Sequence, residues 1–293
     1  MSDAILSKAV IPAAGFGTRM LPAAKAVPKE MLPVLEKPAI QYVIEECAAA
    51  GTHDILLITS RDKRAIEDHF DRHSELETRL RAAGRQNLLD SVDQLRQRVR
   101  ISATRQGELR GLGHAVMQSR QYVGNRPFLC LLGDAVFSGN PLPAVQLSAA
   151  YARFQTAIIG LERVPPEKVE RYGIVAGDEV EEGVVRVRDL VEKPRRNCAP
   201  GTLAIAARYV LTPAVFPCLE VVEPGAGGEI QLTDALRLLV KREPIHGVLL
   251  EAKRHDLGDP VEWLRTNLVF AAQRSEIREA LRPTIDALWR RGD

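Results

Sequence analysis

A chain of 293 residues with 45% hydrophobic and 27% charged side chains has ordinary globular composition, long enough for one large α/β domain or two small ones. Lys and Arg total 40 against 38 Asp and Glu; the resulting charge of +2 excludes a nucleic-acid footprint, so any phosphate site must be a local one. No apolar stretch approaches a membrane span, no charged-then-apolar leader opens the chain, and Cys47, Cys130, Cys198 and Cys218 form no metal or redox spacing. A reduced, cytoplasmic protein is expected, with neither a membrane nor a nucleic acid as partner.

Residues 8–13 (KAVIPA) read as a short buried strand running into a glycine loop. Ile40, Val43, Ile44 and Cys47 recur at helical spacing, which predicts an amphipathic helix over 39–50 stopped by Gly51. A buried strand follows at 54–59, then polar outer helices within 62–98, a strand at 99–104 and a helix at 114–122. The fully apolar strand 128–132 ends at Gly133-Asp134. This alternation implies a parallel sheet with right-handed crossovers and helices on both faces, and ligands bind such sheets beyond the carboxyl ends of the strands. The loops after Ala13, Thr104 and Leu132 should therefore meet at one cleft. The second half is richer in strands, with apolar runs at 157–161, 184–191 and 203–211 and helices at 230–240 and 261–272. The expected fold is α/β: a Rossmann-like mixed, mainly parallel sheet over 1–274. A helical tail over 275–293, interrupted or kinked at Pro283, follows it. Ile277, Leu281, Ile285, Leu288 and Trp289 make that tail available to its own domain or to a second subunit.

Chemistry concentrates in the loops. Gly15 and Gly17 let the backbone approach an anion, a weak signal by itself because dinucleotide-binding folds use similar loops. Here the third glycine of that fingerprint is replaced by Met20, Arg19 directly follows the loop, and Pro22, Pro28 and Pro33 oppose a helix starting at the glycines. An extended segment should instead carry Lys25 and Lys29 over the cleft, where a triphosphate needs cations. A carboxylate cannot stay unpaired in an apolar strand, so Asp134 must sit at the sheet edge; Asp256 similarly follows the apolar run 245–250. Two such carboxylates can share one magnesium ion (Mg²⁺) with phosphate oxygens and water, although a cap or turn role suits either alone. The amide of Gln106 suits a nucleobase edge. His114, beside it, is better suited to a helix-start hydrogen bond than to general base catalysis. Glu192-Lys193 ends a strand and fits either a sugar-phosphate site or an exposed charge pair, and residues 229–239 have the periodicity of a packed helix.

The run from Gly15 through Thr18, Arg19 and Pro22 to Lys29, Glu30 and Pro33 resembles the signature of the sugar nucleotidyltransferases, and more narrowly the bacterial UTP–glucose-1-phosphate uridylyltransferases. Arg105-Gln106-Gly107, Gly111-Leu112-Gly113-His114, Leu132-Gly133-Asp134, Tyr172-Gly173, Glu192-Lys193-Pro194, the run 229–235 and His255-Asp256-Leu257-Gly258 extend the likeness over nearly the whole chain. The resemblance implies Mg²⁺-dependent transfer of UMP from UTP to glucose 1-phosphate, giving UDP-glucose and pyrophosphate, by a homodimer or homotetramer. It implies that Ala13, Ala14, Glu30, Gln106 and Gly111 surround the base, with Gly15, Gly17 and Thr18 in the nucleotide loop. It places Tyr172, Gly173, Glu192 and Lys193 at the sugar phosphate, makes Arg19, Lys29 and Lys193 the catalytic cations, and makes Asp134 and Asp256 the metal ligands. The chain departs from the pattern at Gly228 and Thr202, which bears on hexose specificity. A relative using another nucleotide or hexose phosphate, or a weakly active regulatory paralogue, stays open, whereas a dinucleotide oxidoreductase shares only the glycine loop.

Overall fold

The computed structural model describes residues 6–225 and 228–290, side chains at 91–93 and 288–290 excepted. The opening residues 1–5, Ala226 and Gly227 of the glycine-rich loop, and the Leu288 and Trp289 side chains thus lie outside the described residues. The strands in chain order are β1 (Lys8–Pro12), β2 (Pro33–Val34), β3 (Lys37–Pro38), β4 (Asp54–Thr59), β5 (Arg100–Arg105), β6 (Phe128–Leu131) and β7 (Ala135–Ser138). They continue with β8 (Ala157–Arg163), β9 (Gly173–Glu181), β10 (Val184–Glu192), β11 (Leu203–Leu211), β12 (Ile245–Leu249) and β13 (Lys253–Asp256).

Nine of them form one mixed sheet in the order β5-β4-β1-β6-β11-β8-β12-β10-β9. The first four are mutually parallel, and β11 adds to β6 antiparallel. The second half of the chain is mostly antiparallel, with β12 returning parallel to β8. The side-chain period of two divides the core between the faces. From β1, Val10 enters one cluster with Val116, Phe216 and Leu236, while Ala9 and Ile11 enter the other with Ile40, Val43, Ile44 and Cys47. Helix Ala39–Ala49 thus covers one face, beside a helix at Pro143–Phe154, and helices Leu112–Met117, Val215–Val221 and Leu232–Leu239 cover the opposite one. Each large aliphatic side chain so buried contributes about 1.5–3 kcal/mol. The expected helix at 114–122 is two short ones, Leu112–Met117 and Arg120–Val123, with the Ser119 hydroxyl between them donating to the Val116 carbonyl at 2.7 Å.

Two features shape the cleft edge. A short antiparallel ribbon, β7 with β13, pairs Asp256 opposite Ala135. In β11 the register with β8 shifts between Ile205 and Tyr209, and Ala207 takes φ 59° there, a conformation a non-glycine residue holds only when packing imposes it. Arg208, wholly buried at this bulge, forks onto Glu46 (Nε–Oε1 2.9 Å, Nη2–Oε2 2.9 Å) and donates to the carbonyls of Leu132 (3.2 Å), Ala207 (3.0 Å) and Ala135 (2.8 Å). The segment bearing Asp134 is therefore pinned on both sides.

Of the cysteines, Cys47, Cys130 and Cys218 are buried and Cys198 is exposed, all as free thiols. No helix among the described residues is long and apolar enough to cross a membrane. Helix Pro260–Gln273 is followed by helix Ser275–Arg290, which contains Pro283.

Candidate active site

The loops after β1, β5 and β6 do converge. A cavity of 490 Å³, within the usual range for small-molecule sites, is lined by Pro12 through Phe16, Lys29, Glu30, Gln106, Gly111, Leu132 and Asp134, among others. The prolines act as expected: the segment after Gly17 makes only short 3₁₀ turns (Thr18–Met20, Ala23–Lys25, Lys29–Met31) before entering β2. Its third turn returns Lys29 to the cavity, while Lys25 stays exposed on the second.

Lys29 Nζ stands 2.6 Å from Asp134 Oδ2. Burial alone disfavours the Asp134 carboxylate, but the Lys29 ammonium and its hydrogen bond outweigh that and hold the group below the ordinary range. Burial likewise opposes the Lys29 charge, yet Asp134 and Glu30 together keep its pKa raised. Glu30, almost fully buried, is held by Lys63 at 2.5 Å, a partner that no motif pointed to. Burial pushes Glu30 up and Lys63 down, each toward its neutral form.

Asp256 joins Asp134 through the β7–β13 ribbon, and the Leu257 N–H donates to the Asp134 carbonyl at 3.1 Å. Asp256 Oδ1 accepts the Gly258 N–H at 2.7 Å, which orients the carboxylate. A Cβ at position 258 would stand 2.5 Å from Arg19 Nη2 and 2.8 Å from Asp256 Oδ1, so Arg19 reaches this corner only because glycine leaves it room. Gly258→Ala is expected to leave thermal stability unchanged, since both crowded atoms end flexible side chains. A displacement of this kind lowers kcat/KM by roughly 10- to 100-fold. Parallel melting curves and steady-state kinetics check it; wild-type turnover would place Arg19 outside the chemistry.

The base end is built on Gly111. Its φ of 92° suits glycine, and a Cβ there would lie 2.8 Å from both Glu229 Cβ and the Ile230 carbonyl oxygen. Gln106 donates to the Gly111 carbonyl at 3.0 Å and lies 3.0 Å from His114 Nδ1. His114 thus supports Gln106 rather than the helix start.

A second compartment of 140 Å³ shares Leu112 and Leu132 as walls with the first and is lined by Tyr172, Gly173, Glu192, Gln231, Thr233 and Arg254, among others. Thr233 donates to Glu192 Oε2 at 2.6 Å, while Oε1 faces only the more distant Lys193 ammonium at 3.7 Å. Arg254 pairs with Glu162 and lies 4.4 Å from the centre of the Tyr172 ring. Gln231 and Thr233 mean that the helix start at 231–233, whose periodicity reads mainly as packing, also walls the site. The structure brings together Ala13, Ala14, Gly15, Lys29, Glu30, Gln106, Gly111 and Asp134 in the first compartment and Tyr172, Gly173 and Glu192 in the second, with Asp256 and Arg19 at the adjoining corner. Gly17 packs on the Lys29 side chain instead of lining the cavity, and Thr18 is exposed. Lys193 is 59% exposed at the rim, its Nζ 3.7 Å from Glu192 Oε1.

Comparison with known proteins matches residues 8–272 to the nucleotidyl transferase family. The chain belongs to this family. A Bacillus subtilis UTP–glucose-1-phosphate uridylyltransferase is 46% identical over 281 residues, covering 96% of each chain, and a second from the same organism is 47% identical over 274 residues, covering 94% of this chain and 92% of its own. Among solved structures, a UDP-glucose pyrophosphorylase complexed with UDP-glucose has a TM-score of 0.84 at 37% identity, covering 92% of this chain and all of its own. A UTP-bound enzyme of that kind from Acinetobacter baumannii has a TM-score of 0.87 at 34% identity, covering 96% and 98%.

Proposed function

We propose that the chain transfers UMP from UTP to glucose 1-phosphate in the cytoplasm, releasing UDP-glucose and pyrophosphate, with Mg²⁺ as cofactor. The observation that carries this reading is the pair of compartments sharing the Leu112 and Leu132 wall, one with a buried amide and a glycine loop, the other with the Glu192–Thr233 pair. The named activity of the relatives and the nucleotide and nucleotide sugar in two similar structures support the assignment of substrates.

A phosphate oxygen of glucose 1-phosphate attacks the α-phosphorus of UTP; that P–O bond forms as the bond to the β-phosphate oxygen breaks, and pyrophosphate leaves with its electron pair. No protein nucleophile or base is required, so the chain's contribution is orientation and charge neutralisation. Arg19 and Lys29 hold the triphosphate, Lys193 swings from the rim to the sugar phosphate, and Glu192 accepts from the sugar hydroxyls. Asp134, in the turn just before β7, and Asp256, on its partner strand β13, are hard oxygen donors, and a lysine ammonium already sits against Asp134 as a cation would. Held by these two carboxylates, Mg²⁺ would complete its shell with phosphate oxygens and water. Bound there, Mg²⁺ supplies further positive charge against the phosphates.

The deciding experiment is pyrophosphate release with UTP, glucose 1-phosphate and Mg²⁺, each omitted in turn and each replaced by analogues. Activity only with the full set is expected; equal rates with another nucleotide or hexose phosphate would overturn the assignment. Lys193→Ala is expected to raise KM for glucose 1-phosphate more than KM for UTP. An assembly of two or four identical chains is also proposed; Val261, Leu264 and Leu268, exposed on helix Pro260–Gln273, offer an apolar face, and light scattering measures the mass.

A further inference from the structure

We infer that His114 is a positioning residue for nucleobase choice: it holds the Gln106 amide so that an acceptor is left to meet the base, which favours uracil over cytosine. The inference rests on the UTP reading above. Gln106 is 5% exposed on the wall of the nucleotide cavity. The side-chain atom 3.0 Å from the Gly111 carbonyl must be the amide nitrogen, because a carbonyl oxygen only accepts. Its second hydrogen points to His114 Nδ1, also at 3.0 Å, so that ring nitrogen must be unprotonated.

The other ring nitrogen, Nε2, is 3.3 Å from Gln118 Nε2, which also donates to the His114 carbonyl at 3.2 Å. A neutral imidazole accepts at only one nitrogen. The contact to Gln106 is shorter, and its donor is buried, whereas Gln118 is only half-buried and can turn to water. A buried donor left unmade is the greater loss, so Nδ1 accepts and Nε2 carries the hydrogen. Both amide hydrogens of Gln106 are then consumed, and its Oε1, without a partner among the described residues, is the atom left for a ligand.

Uracil offers a donor at N3. Cytosine has a lone pair at that position, which would face Oε1 as acceptor against acceptor. Sites built to complement one hydrogen-bonding edge reject the mismatched one strongly. Without His114 as second acceptor the amide can rotate about its remaining bond and present N–H instead. His114 is absent from the cavity lining, so it acts through Gln106 alone.

The test is steady-state kinetics with UTP and with CTP at saturating glucose 1-phosphate, for the wild type, His114→Leu and His114→Asn. His114→Leu is expected to raise KM for UTP about ten-fold with kcat nearly unchanged, and to narrow the UTP-over-CTP preference by a similar factor. The Asn variant, whose side-chain oxygen replaces Nδ1 as acceptor, should restore both. A Leu variant with wild-type KM and preference overturns the role of His114 alone, whereas a wild type that favours CTP overturns the UTP reading too. A ¹⁵N-histidine spectrum of the wild-type enzyme gives a readout independent of any variant: hydrogen on Nε2 of His114 is expected, and hydrogen on Nδ1 refutes the inference.

Discussion

Asp134→Asn is expected to lower kcat/KM by about three orders of magnitude, the scale reached when several kcal/mol of charge stabilisation are removed from a preorganised site. Asn has the shape of Asp and can still accept from Lys29, now 2.6 Å from the carboxylate, so the fold has no reason to change. What disappears is the negative charge between Lys29 and the corner shared by Arg19 and Asp256. Lys29 retains Glu30 as a second electrostatic partner, which limits the damage to folding. Calorimetry should accordingly show a melting midpoint within a few degrees of wild type, and Mn²⁺ binding in the presence of UTP should weaken alongside turnover. An Asn variant with undiminished turnover when Mg²⁺ is supplied would remove Asp134 from the chemistry.

The parallel half of the sheet was legible because buried strands there are continuous apolar runs set apart by glycines and amphipathic helices; the strand 54–59 and the helix from Ala39 to within a residue of its end emerge from pattern alone. The three converging loops follow from that order and from the rule that ligands sit beyond parallel strand ends. Helix Pro143–Phe154 carries Ala144, Leu147 and Tyr151 at helical spacing behind an N-terminal proline, a signal overshadowed by the sheet alternation. What local pattern does not encode is long-range pairing. Nothing in the polar tetrapeptide Lys253–Asp256 announces that it will lie against Ala135–Ser138 and bring Asp256 beside Asp134. Lys63 sits among charged neighbours in a surface-like stretch, and only the fold shows it buried against Glu30. The exposure of Lys193 has a similar origin, since a strand-end position fixes the backbone but leaves a long side chain free to choose between rim and cavity.

Arg208 is the strongest case of a role invisible to periodicity, and severing its pair with Glu46 is expected to destabilise the protein by about 3–5 kcal/mol, since either single change strands a buried charge. Glu46→Ala and Arg208→Ala should therefore lower the urea midpoint to similar extents, with the melting temperature falling by about ten degrees. Glu46 also accepts the Ala144 N–H at 3.0 Å, so its loss loosens the start of helix Pro143–Phe154 as well. The double variant Glu46→Leu, Arg208→Met replaces the pair by apolar side chains and should recover much of the stability. Activity should not recover with it. Arg208 is the donor that ties down the carbonyls of Leu132 and Ala135, and Asp134 lies between them. A methionine fills the space without donating, so the strand end bearing the carboxylate gains freedom, and a displacement near 1 Å there is enough to lose up to about 100-fold in rate. A double variant stable but slow is the outcome that follows from the two roles; one both stable and fully active would mean that packing alone sets the position of Asp134.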